Sequence, residues 1–319
     1  MSVWKYVTAG CVVALSIMAM RKLSKVYQVY KRGMALCGGE LKGKTAIITG
    51  ANCGIGRATA LELAKRQARV ILACRSEEKG KAAISDIKRF TKNGDLVYKH
   101  LDLESLKSVR EFCSDIIENE PQLDILINNA AVMNHPYVQT EDKIEINMSV
   151  NHFGPFLLTN LLLELLKKSS PSRIIFVSSA LHKYGTVDLE NFQNQQKKPY
   201  ADSKLANVYF ARELAERLKN TEVAVHTIHP GMVNTELSRH SVPQALNFIV
   251  NPIKFLLLPS AIEGSQGIVH LATANLGKDT GKYYGKTGQE EKWPDISADT
   301  AVWKKLWDVS EKITNQNSQ

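Results

Sequence analysis

Short apolar runs alternate with longer segments of helical periodicity along most of the chain, after a linker at Met34–Glu40. This alternation predicts parallel strands whose connecting helices cover both faces of one sheet. The strand candidates are Thr45–Thr49, Arg69–Cys74, Leu96–His100, Leu123–Ile127, Arg173–Ser178, Val223–Ile228 and Lys282–Tyr284. The helix candidates are Gly54–Arg66, Glu77–Thr91, Leu106–Asn119, Asp142–Lys168, Ala201–Lys219 and Ala261–Ala274. The pattern therefore predicts an α/β fold, a doubly wound parallel seven-stranded sheet with helices on both faces, in a single domain over residues 40–319.

The N-terminal residues 1–39 follow a different pattern. Fifteen residues from Tyr6 to Met20 carry no charge, and a basic run that begins at Arg21 follows them. This order predicts a hydrophobic helix that anchors the chain in a membrane, with the body on the positively charged, cytosolic side. A cleaved signal peptide, a helix on the membrane surface and a mitochondrial targeting segment are the alternatives. Since no small-residue cleavage site follows the apolar run, an endoplasmic reticulum anchor is favoured, with mitochondrion and lipid droplet as the other locations.

The charge of the body argues against a nucleic-acid partner. The net charge is +9, but six positive charges precede the first acid, Glu40, which leaves about +3 for the remainder. A charge of that size gives no reason to expect nucleic acid. The five cysteines are an odd number without a C-x-x-C pair. They favour reduced thiols and no metal site, with Cys74 and Cys113 as small buried apolar residues.

The first predicted strand runs into the loop TGANCGIG, residues 49–56, and then into a helix. Glycines let the backbone turn tightly and approach a pyrophosphate, whose charge the amides at the helix N-terminus bind. The loop resembles T-G-x-x-x-G-x-G, the cofactor motif of the short-chain dehydrogenase/reductase family, and the resemblance extends over about residues 40–290. It implies a Rossmann-type sheet and a nicotinamide cofactor. The implied loop contacts are Gly50, Asn52, Cys53, Gly54, Ile55 and Gly56.

Two further motifs follow in the order that this resemblance implies. The sequence NNAA at 128–131 is similar to the family's N-N-A-G, and it implies that Asn129 and Ala130 lie against the cofactor. Asp102, followed by Leu103, matches the family's adenine-contacting aspartate. Asp102 can also cap the following helix, and the two roles are compatible.

The end of the second strand predicts the choice of coenzyme. NAD-preferring proteins of this kind place an acid there to bind the ribose 2′-hydroxyl, whereas this chain has Cys74 followed by Arg75. A guanidinium binds a 2′-phosphate that an acid would repel, so NADP(H) is the predicted cofactor. The alternative is that Arg75 is a solvated loop residue. Arg57 either assists the phosphate or lies on the outer face of its helix.

The sequence YADSK opens a predicted helix and places Tyr200 and Lys204 four residues apart on one face. An adjacent ammonium favours the phenolate, so we expect the pKa of Tyr200 to be lowered toward the working range. By resemblance, Tyr200 is the acid/base, and Lys204 lowers its pKa and holds the nicotinamide ribose. Resemblance also implies that Ser179 orients the carbonyl and that Asn151 holds a proton-relay water.

Two more features complete the resemblance. Gly154 and Pro155 are expected to distort the helix that bears Asn151 and to free a backbone carbonyl. The sequence HPGMVNT at 229–235 implies contacts along the nicotinamide half of the cofactor. The residues concerned are Pro230, Gly231, Val233 and Thr235, of which the last has helix capping as its alternative role.

Two irregular segments, Ala180–Pro199 and Glu236–Pro259, follow predicted strands at the sheet edge where doubly wound folds bind ligands. The second is rich in apolar residues, so 236–259 is interpreted as a substrate lid and the substrate as lipophilic. A core helix or a second membrane contact is the alternative. The histidines of these segments, His182 and His240, are interpreted as surface or packing residues.

The wording of the motifs ACR, YADSKLAN and HPGMVNTEL resembles the retinol dehydrogenase-like branch of the family. The resemblance implies an NADP(H)-dependent oxidoreductase that interconverts a lipophilic alcohol, retinol-like, and its aldehyde or ketone. Steroid, polyprenyl and fatty aldehydes are alternative substrates. A non-catalytic, membrane-held, cofactor-binding interaction protein is the alternative function. In many relatives the helices that match those of Asn151 and Tyr200 form a homodimer contact.

Overall fold

The computed structural model describes residues 16, 18–24, 27, 39–91, 95–133, 136–194, 196–231, 233, 258–275, 279–286, 288–293 and 299–316. Within these residues, eight strands form one sheet in the order β3-β2-β1-β4-β5-β6-β7-β8. The strands are β1 Thr45–Thr49, β2 Arg69–Cys74, β3 Asp95–His100, β4 Ile125–Asn128, β5 Ser172–Val177, β6 Val223–Ile228, β7 Lys282–Tyr284 and β8 Glu290–Glu291. All neighbours pair in parallel except β7 and β8.

The sheet confirms the predicted parallel core but corrects the predicted number of strands. All seven predicted strands are present, with ends within two residues of the predicted ones. The addition is β8, which pairs antiparallel with β7 through Tyr283 and Glu291. A strand of two residues is too short to show an alternating pattern, so the sequence gives no signal for it.

The helices cover both faces of the sheet, as the sequence predicts. They are α1 Gly54–Lys65, α2 Glu77–Lys88, α3 Leu106–Asn119, α4 Ile146–Met148, α5 Gly154–Leu161, α6 Leu163–Lys168, α7 Pro199–Arg217, α8 Ala261–Thr273 and α9 Thr300–Gln316. The C-terminal helix α9 was not predicted. Its apolar residues Val302, Leu306, Val309 and Ile313 follow a helical period and lie on the core.

The long helix predicted over Asp142–Lys168 is shorter and is interrupted. It begins only at Ile146, and a π-helical turn, Ser149–Phe153, precedes α5. Pro155 has no N–H to donate to the carbonyl of Asn151, four residues earlier, which leaves that carbonyl without its helical partner. The carbonyl instead accepts a hydrogen bond from Nδ2 of Asn207 at 2.6 Å. The predicted distortion by Gly154 and Pro155 is therefore confirmed.

Each face of the sheet has its own core. On one face, which we call the α7 face, α3, α5, α7 and α9 pack on side chains such as Ile47, Ile174 and Phe176. On the other, the α1 face, α1, α2 and α8 pack on Ile48 and Ile175. Neighbouring strand residues thus point to opposite faces, as the pleat of a strand requires.

The strand order reverses at β1, which lies between β2 and β4. Loops leave to opposite sides there and open a crevice at the carboxyl ends of the strands, where doubly wound folds bind ligands. The predicted N-terminal anchor, residues 1–39, lies mostly outside the described residues. Among the helices of the described part, none combines the length and hydropathy needed to cross a membrane.

Candidate active site

A cavity of about 320 Å³ occupies this crevice. It is bordered by the loops after β1, β2, β3, β4, β5 and β6 and by the start of α7. The predicted site residues that line it are Gly50, Asn52, Cys53, Gly54, Ile55, Gly56, Arg75, Asp102, Leu103, Asn129, Ala130, Ser179, Tyr200, Lys204, Pro230, Gly231 and Val233. Thr235 lies outside the described residues. Asn151 is described but does not border the cavity, so the structure gathers nearly all of the predicted residues around one space.

The loop after β1 requires glycine at two positions, Gly50 and Gly56. Gly50 has φ +65°, a conformation that side chains disfavour. A Cβ on Gly56 would lie 2.5 Å from the carbonyl oxygen of Gly50 and 2.6 Å from Nδ2 of Asn129. Gly56 therefore packs directly on the loop. The N-cap residue, Cys53, gives no side-chain cap to the first amides of α1, so these amides can bind an anion.

The motif after β4 braces this loop. Nδ2 of Asn129 donates to the carbonyl of Thr49 at 2.8 Å. The hydroxyl oxygen of Thr49 accepts the backbone amides of Asn129 and Ala130, each at 2.9 Å. The next asparagine back, Asn128, donates to the hydroxyl of Thr159 on α5. These hydrogen bonds fix the loop after β1 against the end of β4 and link β4 to α5.

Tyr200 and Lys204, the predicted reacting side chains, lie at the start of α7. Tyr200 is 9% exposed and Lys204 2% exposed, and Nζ of Lys204 lies 5.8 Å from the centre of the Tyr200 ring. The ammonium donates a hydrogen bond of 2.9 Å to the carbonyl of Val177 at the end of β5. The carbonyl of Lys204 accepts from the hydroxyl of Ser178 at 3.2 Å. Strand β5 and helix α7 are thus tied together at the site.

The protonation of this pair differs from the sequence-based expectation for the tyrosine. Burial raises the pKa of Tyr200 to about 12, and the hydrogen bond with Ser179 opposes this rise. Burial lowers the pKa of Lys204 to about 8. The expected lowering of the Tyr200 pKa is therefore wrong, because removal of the phenol from water outweighs the stabilisation of its anion. At neutral pH, Tyr200 holds its proton.

Ser179 lines the cavity and is the N-cap of the 3₁₀ helix Ala180–Tyr184. The backbone amide of Leu181 donates a hydrogen bond of 3.2 Å to the Ser179 hydroxyl. His182, discounted as a surface or packing residue, is fully buried, and its Nδ1 bonds the carbonyl of Ser179. It packs edge-on against the ring of Tyr283. The packing role is therefore confirmed, and its hydrogen bond fixes the segment that carries Ser179.

Asn151 lies one layer behind the cavity. Its Oδ1 accepts the amide of Val132 at 2.8 Å, and its Nδ2 donates to the carbonyl of Val132 at 2.9 Å and to the hydroxyl of Ser203 at 3.0 Å. These bonds join the loop after β4 to α7. The side chain therefore positions its neighbours, while the predicted water-holding role stays a prediction.

Asp202 is a positioning residue that the sequence analysis missed. It is fully buried in the first turn of α7, where its carboxylate accepts the amides of Thr186 at 2.7 Å and Lys198 at 2.8 Å. Both amides belong to the segment that precedes Tyr200. The acid inside YADSK was a possible signal, because an aspartate in a first turn commonly binds free amides.

The side of the cavity where the sequence predicts the adenosine to bind, around Arg75 and Asp102, carries both positive and negative side chains. Arg75 pairs with Glu104 and lies 3.9 Å from Asp102. The carboxylate of Asp102 accepts the amide of Glu104 at 3.0 Å, and the cap of α3 is Ser105 rather than Asp102. Arg57 is directed to Asp86 on the outside of the helices at 3.1 Å. The predicted capping role of Asp102 is thus wrong, and Arg57 lies on the outer helix face.

Two further predictions concern the cysteines and helix α7. Cys74 and Cys113 are buried, as expected, and none of the three described cysteines, Cys53, Cys74 and Cys113, forms a disulfide. Helix α9 of the same chain packs against α7, where the ring of Trp307 contacts those of Phe156 and Phe210, and the homodimer contact stays a prediction.

A glycine-rich loop at the switch point of a parallel sheet, beside a buried tyrosine and lysine, is the arrangement of a nicotinamide-dependent oxidoreductase. The family model described as short chain dehydrogenase matches residues 44–245, and the chain belongs to the short-chain dehydrogenase/reductase family. The curated relatives locate it in the retinol dehydrogenase-like branch. It is 44% identical to retinol dehydrogenase 14 of Mus musculus over 289 residues, which cover 86% of each chain. It is 46% identical to retinol dehydrogenase 13 of Homo sapiens over 86% of this chain and 85% of that one.

A third relative extends further along the chain. Retinol dehydrogenase 12 of Homo sapiens is 40% identical over 311 residues, which cover 95% of this chain and 96% of that one. Among solved structures, an uncharacterized protein from Mycobacterium paratuberculosis has a TM-score of 0.68 at 31% identity, over 87% of this chain and 95% of that one. A short chain dehydrogenase from Shigella flexneri, complexed with NADP, has a TM-score of 0.62 at 25% identity, over 78% and 98%.

Proposed function

We propose that this protein is an NADP(H)-dependent oxidoreductase that interconverts a lipophilic, retinol-like alcohol and its aldehyde. The observation that carries the proposal is the single cavity that runs from the loop at Gly50–Gly56 to Ser179, Tyr200 and Lys204. The names of the three relatives support a retinoid as the substrate class.

The residues present fit a dinucleotide. The space beside Gly56 excludes even a methyl group, and the start of α1 offers its amides to a pyrophosphate. The end of β2 carries no acid, and Arg75 stands beside the adenosine end, which supports the phosphorylated coenzyme. When bound, a nicotinamide supplies or accepts the hydride, and the protein contributes binding, orientation and the proton.

The protein's own part in the reaction is the movement of one proton. In reduction, Oη of Tyr200 donates its proton to the substrate oxygen as the carbonyl carbon receives the hydride. The Ser179 hydroxyl orients that oxygen, and the Lys204 ammonium, held at Val177, stabilises the phenolate that forms. In oxidation, the same phenolate takes the proton of the alcohol. Because the pKa of Tyr200 is raised to about 12, the phenol carries at neutral pH the proton that reduction requires.

The test is turnover of all-trans-retinal by the purified, detergent-solubilised protein, followed as oxidation of NADPH. Tyr200→Phe removes only the acid and is expected to reduce kcat by a factor of about 10² to 10⁴ while NADPH still binds. Tyr209→Phe, the same change on the same helix at a residue that does not line the cavity, is the matched control. Binding of NADPH without turnover of retinal, steroid, polyprenyl or fatty aldehydes would instead favour the non-catalytic interaction protein.

The same proposal includes attachment to a membrane through the N-terminal segment, with the catalytic domain facing the cytosol. Nζ of Lys22, just after the uncharged run, donates to the carbonyl of Leu258 at 2.7 Å, and Glu263 attracts the same ammonium. This contact joins the basic segment to Leu258, at the end of the predicted lid. Deletion of residues 1–20 is expected to release the protein from membranes in carbonate extraction. Protease protection of the catalytic domain in sealed microsomes would contradict the cytosolic orientation.

A further inference from the structure

The adenosine end of the cavity has more side chains than the mechanism uses. Beyond Arg75, it is lined by Ser76, Lys79 and Glu104. Ser76 caps α2, and Lys79 belongs to the first turn of that helix. The cavity therefore ends between the loop after β2, the first turn of α2 and the loop after β3, with two cations and, counting Asp102, two carboxylates around it.

The arginine at this end is already engaged by acids. Its Nη1 pairs with the carboxylate of Glu104, and Asp102 lies 3.9 Å away. A guanidinium shared with two carboxylates has less positive charge to offer a phosphate than a free one. A phosphate that depended on Arg75 alone would have to compete with Glu104 for the same donors.

Lys79 has no such competitor within the described residues. Its neighbour on α2, Lys81, pairs with Glu77 at 2.6 Å, whereas no carboxylate of the described chain lies within ion-pair distance of Lys79. The amide of Lys79 bonds the hydroxyl of its cap residue, Ser76, at 3.3 Å, which fixes the turn.

Gly80 brings this turn close to the sheet. A Cβ at Gly80 would lie 2.4 Å from the ring of Tyr98 on β3 and 3.0 Å from Sγ of Cys74 on β2. Only glycine lets α2 pack this tightly, and Lys79, the adjacent residue, borders the cavity as a consequence. The positive end of the helix dipole adds to the attraction for an anion at this position.

We propose that Lys79 is a specificity-determining residue that, with Arg75, binds the 2′-phosphate of the cofactor's adenosine. The proposal rests on the proposed NADP(H) dependence and names the residue that discriminates. An ammonium at this end recognises a phosphate monoester dianion, and the 2′-hydroxyl of the unphosphorylated cofactor gives it no charge to bind.

The test compares Lys79→Gln with wild type by isothermal titration calorimetry of the full-length, detergent-solubilised protein. The probes are NADPH and NADH, and the fragments 2′-AMP and 5′-AMP, none of which requires turnover. Lys79→Gln is expected to weaken NADPH and 2′-AMP by about tenfold, which corresponds to about 1.4 kcal/mol. NADH and 5′-AMP should bind as they do to wild type. Lys81→Gln, on the same helix but paired with Glu77, is the matched control and should leave all four unchanged.

Two outcomes overturn the proposal in distinguishable ways. If wild type prefers NADPH and Lys79→Gln keeps that preference, the NADP(H) dependence stands and the assignment of Lys79 fails. If wild type binds NADPH no better than NADH, the proposed coenzyme fails and the assignment fails with it. Retained NADH binding by Lys79→Gln excludes misfolding as the cause of a loss, and Lys79→Arg, which keeps the charge, is expected to restore NADPH binding.

Discussion

The two faces of the sheet are built from different side chains. The α7 face has an aromatic core, in which Phe210 stacks with Phe156, Phe176 and Trp307 at centre distances of 4.8 to 5.6 Å. The α1 face is filled by small and aliphatic residues, and the buried core there includes one aromatic residue, Tyr284, among the described residues.

This difference matches what each face does. The α7 face combines its large rings with buried polar side chains such as Asn151, Ser203 and Lys204. Small residues let α1 and α8 approach the sheet and each other. A Cβ on Gly267 of α8, for example, would lie 2.5 Å from the Ile228 side chain on β6. The α7 face thus contains the polar groups proposed for catalysis. The α1 face packs its backbone closely, next to the proposed cofactor site.

The comparison predicts that the α7 face is most sensitive to lost volume. Phe210→Ala is expected to lower the free energy of unfolding by about 4 kcal/mol, because it removes a fully packed ring and leaves a cavity. Urea denaturation followed by circular dichroism measures the change. Phe90→Ala is the control, since that ring is 69% exposed and its removal should cost less than about 0.5 kcal/mol. If Phe210→Ala lowers the free energy of unfolding by less than about 1 kcal/mol, the predicted sensitivity of the α7 face to lost volume is wrong.

The α1 face should be most sensitive to added volume. Gly56→Ala is expected to weaken NADPH binding by at least about a hundredfold, close to 2.7 kcal/mol, because the new methyl meets the backbone of Gly50 at 2.5 Å. Quenching of protein fluorescence by NADPH measures the affinity. At Gly43 a Cβ meets no atom within 4 Å, although φ is +77°. Gly43→Ala should therefore reduce stability by about 1 kcal/mol and leave NADPH affinity intact. Equal NADPH affinities for Gly56→Ala and Gly43→Ala would contradict the predicted sensitivity of the α1 face to added volume.

The buried lysine on the α7 face predicts a pH dependence of catalysis. Reduction needs the proton of Tyr200, whose pKa is about 12, and the charge of Lys204, whose pKa is about 8. We expect kcat/KM for retinal reduction to be constant up to about pH 8 and then to fall, approaching tenfold per pH unit. Stopped-flow measurements between pH 6 and pH 10, with NADPH affinity measured at each pH, test this. A constant rate to pH 10 would show that the charge of Lys204 is not required.

The smallest expected effect concerns His226, a polar residue buried on the α1 face beside Tyr284. Burial, assisted by Arg173, lowers the pKa of His226 to about 4. The unfolded chain binds this proton below about pH 6.5, so the stabilisation is complete above that pH and is lost as the pH falls toward 4. Since neither ring nitrogen has a hydrogen-bond partner among the described residues, His226→Leu should reduce the loss of stability between pH 7 and pH 5 by about 2 kcal/mol.

Thermal unfolding across this pH range compares the variant with His100→Leu, in which an exposed histidine at the end of β3 is replaced. The pH dependence of the control should match that of wild type. If His226→Leu also matches wild type, the titration of His226 does not contribute to acid sensitivity.

The sequence predicted the sheet and most of the cavity lining, because strand runs and glycine spacing are local patterns. It also predicted the pairing of Tyr200 with Lys204, since four residues of helix bring them together. It failed where distant parts of the chain decide the outcome. The pairing of Arg75 with Glu104, 29 residues away, is one example, and the place of Asn151 behind Val132 is another. The direction of the Tyr200 pKa depends on burial, which spacing does not reveal.

The C-terminal helix α9 carries none of the residues proposed for binding or catalysis, yet it closes the aromatic core. Trp303 and Trp307 are buried in it, and the guanidinium groups of Arg212 and Arg217 stack over them at 4.1 and 4.0 Å. A premature stop codon before residue 300 would therefore leave every proposed catalytic residue in place and still inactivate the gene product. The shortened chain would expose the rings of Phe156 and Phe210 and become a substrate for cellular quality control.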